Sequence, residues 1–391
     1  MKRNWFALLV IVALAGMLPA CTHLNSGTRS SDAPQSGTVL RAIQGVKDQS
    51  APDSHVVIFT VGVQQEGRNL VLTGAVDRAE VKAEILKAVE RTGLKAADRI
   101  TLPPAEELED EVWGIASLSV ANGREKPEHS AEMGTQILLG QVVKVWNRAG
   151  RWFLVQSADG YLAWLEKGTF VPCTKEQVQV WNNASLLFVT VYEDLILERP
   201  EAGAQPVSDV VMGDLVKKNS EAGNWFAVEL PDGRTGFLPK PSAENYVAWK
   251  QARRATPENI ERTARMFLGR PYLWGGNSPK GMDCSGFTKL TFLLNGIDLD
   301  RNASEQARQG MEVPLDPDLR ELKKGDLLFF GARSRGDKPE KVSHVAIYLG
   351  EKLFIQSSER VRVNSLDPNS PIADHHFIQT LLHARRVLPG L

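Results

Sequence analysis

Three residues far apart in the chain carry the side chains of an acyl-transfer site: Cys284 in "MDCSGF", His344 in "SHVAIYLG" and Gln356 in "LFIQSS". A thiolate attacks acyl carbons, an imidazole can take and return its proton, and a polar side chain can hold that imidazole in place. Asp283 is placed to cap a helix in which Phe287, Leu290 and Leu294 recur at helical spacing until Gly296 stops it. Cys284 then falls in the first turn, where unpaired N–H groups and the helix dipole are expected to ease ionisation. Of the other six histidines, His23 lies in a polar N-terminal stretch, His55 and His129 in other segments, and His375, His376 and His383 in the polar C-terminal part. The strands holding His344 and Gln356 read as a hairpin around Gly350-Glu351-Lys352. A three-residue turn sets Ala346 opposite Gln356 and His344 one diagonal step away, at ~7–8 Å between Cα atoms. A two-residue turn would put the pair on opposite faces. The bland alternative stays open on these residues alone: Cys284 as buried packing and His344 as a structural histidine.

These residues need a scaffold, and 391 residues suffice for several domains. Forty-six basic against 47 acidic residues leave a net charge of −1 and no broad attraction for nucleic acid. Three scattered cysteines, Cys21, Cys173 and Cys284, fit neither a disulfide framework nor a zinc site. Cys173 reads as a packing thiol, and no metal or cofactor is expected. Residues 139–167 align without a gap to 212–240 at an offset of 73, with Gly140/Gly213, Gly150/Gly223, Trp152/Trp225, Phe153/Phe226, Asp159/Asp232 and Gly160/Gly233 matched. Short alternating strands joined by Ala-Gly and Asp-Gly turns suit a small antiparallel barrel, with both tryptophans as core anchors. Tyr161 and Trp164 become Arg234 and Phe237 in the second copy, so the two surfaces differ. Ahead of the repeat, an alternating run at 57–63, a Glu66-Gly67 turn, a strand at 70–72 and a helix through Val81, Ile85, Ala88 and Val89 predict a small α/β module over 55–105. Residues 22–54 are polar and predict a flexible tether.

The N-terminus opens with Lys2 and Arg3, an uncharged stretch to Ala20, and Cys21, the pattern of an export signal. Its Leu-x-x-Cys ending resembles the lipobox of bacterial lipoproteins. That implies a signal over 1–21, a lipid on Cys21 and an extracytoplasmic location; Thr22 favours the outer membrane. An uncleaved membrane anchor is the alternative. The string "LTGAVDRAEVKAEILKAV" is similar to bacterial BON domains, and the repeat resembles bacterial SH3-like (SH3b) domains, taken as 106–175 and 176–246.

From about residue 256 to 391, "RPYLWGGNSPKGMDCSGF", "LKKGDLLFFG", "SHVAIYLG" and "LFIQSS" resemble the NlpC/P60 family of papain-like cell-wall peptidases. The resemblance implies Cys284 as nucleophile, His344 as base and then acid, and Gln356 as the third polar residue, where histidine is common. It implies Tyr272 as an oxyanion partner beside the Cys284 N–H. The order SH3b, SH3b, NlpC/P60 resembles γ-D-glutamyl-L-diamino acid endopeptidases acting on peptidoglycan peptides with a free N-terminal L-Ala. A buried ammonium needs carboxylates. Asp283 with Ser285, and Glu132, are the expected ligands, with Tyr161 and Trp274 lining the alanine pocket. The family's Arg-Asp-Ser-Ser stretch is Arg301-Asn302-Ala303-Ser304 here, and Arg301 is given no role. The expectation is thus an α+β, multidomain, monomeric cysteine endopeptidase: an N-terminal module, two SH3-like barrels and a papain-like domain. A non-catalytic murein-binding lipoprotein and a papain-like amidase or acyltransferase are the alternatives.

Overall fold

The computed structural model describes residues 33–51, 55–336 and 338–389. The expected signal segment, the Cys21 lipid site and residues 22–32 of the expected tether lie outside them. No helix among the described residues is long and apolar enough to cross a membrane.

The tether expected over 22–54 is corrected by a helix at Ala33–Ser50. Val39, Ile43 and Val46 lie at i, i+4 and i+7, a stripe hidden by the polar residues around it, and all three are buried against Leu72, Val81 and Ile85. They cover a sheet ordered Gly62–Glu66, Asn69–Ala75, Ala96–Thr101, with the last two strands parallel across the helix Ala79–Glu90. The strand predicted over 57–63 begins only at Gly62. The residues before it run outward: Ile58 packs on Leu162, the Leu162 N–H donates to the His55 carbonyl at 2.6 Å, and Gln156 donates to that of Val56 at 3.3 Å.

Each copy of the repeat folds into a seven-stranded antiparallel sheet. Strands Val142–Ala149, Trp152–Gln156 and Leu162–Glu166 of the first recur as Leu215–Ala222, Trp225–Glu229 and Thr235–Pro239 of the second, 73 residues on. Even the bulge is repeated, between Val145 and Asn147 and between Lys218 and Ser220. Gly150 and Gly223 hold the turn at φ 60° and 57°, a left-handed conformation that glycine adopts without strain. The tryptophans are not equivalent anchors. Trp152 is buried against His129, while Trp225 is half-buried; Phe153 and Phe226 are the aromatics that pack with the two apolar cores. Arg234, standing where the first copy has Tyr161, donates to the carbonyls of Ser117 and Val207 and clamps the copies together.

The last unit has a six-stranded sheet ordered Met311–Glu312, Leu381–Arg386, Leu327–Ala332, Lys341–Gly350, Leu353–Ser358, Arg360–Ser365. The helix Cys284–Leu293 packs Phe287 and Leu290 onto Phe329, Val345, Ile347 and Ile355. Burying one such phenylalanine contributes about 2–3 kcal/mol. Phe330, Ala346, Phe354 and Phe377 form a second core on the other side of the sheet. The first repeat sheet presses on this unit: a Cβ on Gly275 would lie 2.1 Å from the Met133 carbonyl, and Gln136 and Asn277 exchange two 3.1 Å hydrogen bonds.

Because Ile43 is part of a core, Ile43→Ala should destabilise the N-terminal unit by about 2–4 kcal/mol. Amide exchange across Asn69–Ala75 should speed up accordingly; an unchanged rate would restore the tether.

Candidate active site

Cys284 is the first residue of its helix, and Asp283 is the N-cap, accepting from the Gly286 N–H at 2.7 Å. Gly286 is obligatory, since a Cβ there would sit 2.1 Å from the Gly276 carbonyl. The expected easing of ionisation is reversed. Burial, with the Asp283 carboxylate, pushes the Cys284 thiol up to about 12, outweighing the N–H groups of Val345 and Ser285 and the Arg301 charge. Only 7% of the residue is exposed, and loss of water costs a thiolate more than a helix terminus returns.

The sulfur meets the neighbouring strand at the Val345 N–H, one residue from His344. His344 Nε2 lies 2.6 Å from Gln356 Oε1. The hairpin achieves this in a way the sequence did not show. Glu351 and Lys352, both left-handed at φ 52° and 60°, form a two-residue turn closing on Gly350 and Leu353. One extra residue between Tyr348 and Gly350 shifts the register, so Ile347 faces Ile355 and the two side chains return to one face. A carbonyl oxygen only accepts, so Nε2 carries the proton and Nδ1 keeps its lone pair. The ring stacks on Phe377 at 4.6 Å, and burial pushes its pKa down to about 4 against the raising effect of Gln356 and Asp283. Thiol and imidazole are therefore both neutral at rest.

Asp283 and Ser285, expected to hold a substrate ammonium, are already engaged. Arg301 Nη2 donates to Asp283 Oδ2 at 2.7 Å and Nη1 to Oδ1 at 3.2 Å, while Nη1 also reaches Ser285 Oγ at 3.0 Å. The Gly275 N–H adds a bond to Oδ2 at 3.1 Å. Arg301 Nε reaches across to Thr135 Oγ1 of the first repeat sheet at 3.2 Å. The guanidinium is 1% exposed. Sequence reasoning gave it no role because arginine is nearly always at the surface; the signals were its place at the head of the family-like stretch and Asn302-x-x-Glu305 just after it, whose Glu305 Oε2 accepts from the Asn302 N–H at 2.8 Å and fixes the turn.

Tyr161 is buried and donates to Glu125 Oε1 at 3.0 Å, over Gly134, where a Cβ would touch both groups. His55 of the N-terminal unit stacks on the same ring at 5.3 Å. Glu125 is the carboxylate the sequence did not single out. Glu125 is exposed, as is the expected Glu132, whose backbone carbonyl pairs with the Glu125 N–H; of the two, Glu125 is the one bonded to the Tyr161 phenol. Trp274 is 61% exposed and forms a rim rather than a pocket wall. Tyr272 bridges to Met282, and burial beside Cys284 and Asp283 pushes its pKa up, so its phenol stays a donor.

The NlpC/P60 family matches residues 269–385, which contain all of Tyr272, Cys284, Arg301, His344 and Gln356. A Bacillus cereus protein named gamma-D-glutamyl-L-lysine dipeptidyl-peptidase is 30% identical over 267 residues, 66% of this chain and 76% of the relative. The chain belongs to the NlpC/P60 family. It is thereby a member of a cysteine peptidase family, and the bacterial dipeptidyl-peptidase SH3 domain matches residues 123–168, inside the first repeat sheet. Dipeptidyl-peptidase 6 of Lysinibacillus sphaericus is 28% identical over 68% of this chain and 96% of its own length. A solved NlpC/P60 structure from Bacillus cereus superposes with a TM-score of 0.59 at 26% identity, covering 71% of this chain and all of the other.

Three measurements follow from the NlpC/P60 site. Since protonated His344 cannot accept the thiol proton, kcat/KM should fall as pH drops through about 4 rather than through 6.5. Between those values the unfolded chain binds the extra proton, so stability should also decline as pH is lowered across that window. Arg301→Met, which strands Asp283 as a buried charge, should cost about 3–5 kcal/mol in urea unfolding.

Proposed function

We propose that the chain hydrolyses the bond between γ-D-glutamate and the diamino acid of short peptidoglycan peptides that begin with a free L-alanine. The observation that carries this is the His344–Gln356 pair beside the capped Cys284 helix, in a family whose relatives are named for that bond. His344 Nδ1 takes the thiol proton as Sγ adds to the γ-carbonyl. The oxyanion is held by N–H groups of the helix start and by the Tyr272 phenol. His344 returns the proton to the leaving amine, breaking the C–N bond and leaving a thioester. Water, deprotonated by the same nitrogen, then releases the acid and the thiol.

Glu125, hydrogen-bonded to Tyr161, is the ligand for the substrate ammonium. Arg301 has one Nη2–H beyond its four bonds to protein and offers it to the D-glutamate α-carboxylate. The first repeat sheet, carrying Thr135 and Tyr161, is thus a wall of the substrate site. The second, sharing its strand register at the 73-residue offset, is read as another SH3-like domain. Anchoring by a lipid on Cys21, on the periplasmic side of the outer membrane, suits a substrate released from the wall.

The test is turnover of L-Ala-γ-D-Glu-diaminopimelate. Cys284→Ala should abolish it, and N-acetylation of the alanine should do nearly as much. Glu125→Gln should lower kcat/KM for the free-amine peptide about ten- to a hundredfold, the worth of a charged hydrogen bond, while Glu132→Gln leaves it unchanged. The reverse pattern would return the amine site to Glu132.

A further inference from the structure

Gln356 serves His344 in one of its two amide orientations only, and the neighbouring strand decides which. His344, Gln356 and Asn364 project from one face of three adjacent strands in a diagonal line. Ile347 faces Ile355 on one side, and Phe354 faces Asn364 on the other. Gln356 Nε2 donates to Asn364 Oδ1 at 2.9 Å, and Asn364 Nδ2 points to the Ile372 carbonyl at 3.5 Å. A backbone carbonyl accepts and never donates, so it orders the row from its far end. With the Asn364 amide nitrogen facing Ile372, its oxygen faces Gln356, and the Gln356 oxygen faces the ring.

We propose that Asn364 is a positioning residue that, through the Gln356 amide, holds His344 as the Nε2–H tautomer and keeps the Nδ1 lone pair for the Cys284 proton. The proposal rests on His344 being the base, as argued above. Reversal of Gln356 would present its NH2 to Nε2, which would then accept, and the ring proton would move to Nδ1. A ring in that state cannot take a proton from the thiol. Reversal is not idle in the absence of Asn364, because Arg362 pairs directly opposite Gln356. Its Nε is buried with no hydrogen-bond partner among the described residues, while Nη1 binds Glu359 at 3.0 Å and Nη2 lies 3.6 Å from Asp374. A reversed Gln356 oxygen would offer that donor an acceptor. Asn364 opposes the pull by supplying an acceptor of its own.

The experiment uses the full chain and two substitutions. Asn364→Leu removes the acceptor; Asn364→Asp keeps one, and a carboxylate fixes the Gln356 amide in the same direction. Nitrogen-15 NMR of the His344 ring should show Nε2–H in the native chain and in Asn364→Asp, and a shift towards Nδ1–H in Asn364→Leu. In the same order kcat on the murein peptide should be kept, kept, and lowered about tenfold or more, as expected of a base in the wrong tautomer, with KM within about twofold. In a Gln356→Glu background, where no reversal can present a donor, Asn364→Leu should cost no further activity. An unchanged tautomer in Asn364→Leu overturns the proposal. So does an equal loss of kcat in both backgrounds, which would make Asn364 a packing residue. Full activity in His344→Ala would instead remove the mechanism, a result that the ring's NMR signature does not depend on.

Discussion

The buried pair of Arg301 and Asp283 is the constraint on which the site depends. Taking two ions out of water costs several kcal/mol each, and this pair offsets that with two mutual bonds and with bonds to Ser285, Thr135, Gly275 and Gly286. Each bond fixes something different. Gly286 starts the Cys284 helix, Gly275 holds the loop beneath the first repeat sheet, and Thr135 locks that sheet in place. The helix cap, Cys284 and the first repeat sheet therefore share one charge centre, and an apolar pair of equal volume would leave all three to be set independently.

The same pair shapes the chemistry. Asp283 favours imidazolium at His344 and opposes thiolate at Cys284, whereas Arg301 favours the thiolate. With Cys284 and His344 both buried, the neutral forms dominate, and in the proposed mechanism charge separation waits for the proton transfer itself. The neutral amide of Gln356 is consistent with that regime: it selects a tautomer without adding a charge that would hold His344 protonated.

Much of this was legible in the sequence where local chemistry decides. Turn glycines at a constant offset identified the repeat, and Asp283 marked a helix start that the structure places at Cys284. What escaped is what depends on partners distant in the chain. Arg301 looks like a surface cation until Thr135, 166 residues away, closes over it. Glu125 gains meaning from Tyr161, and the stripe of Val39, Ile43 and Val46 from the sheet it covers. Cys284 was read with the right position and the wrong balance of forces, because a helix terminus is visible in a sequence and depth from solvent is not.

The hairpin between His344 and Gln356 turns on parity. Successive residues of a strand point to alternate faces, so whether two side chains across a turn can meet depends on whether the count of intervening residues is odd or even. The tight Glu351-Lys352 turn alone gives the wrong parity, and the unpaired Leu349 corrects it. The His344–Gln356 pairing is thereby intolerant of a change of one in the length of this loop. Removing Leu349 alone would turn Gln356 away from the imidazole and every other side chain of its strand to the opposite face, whereas a change of two residues would preserve the match.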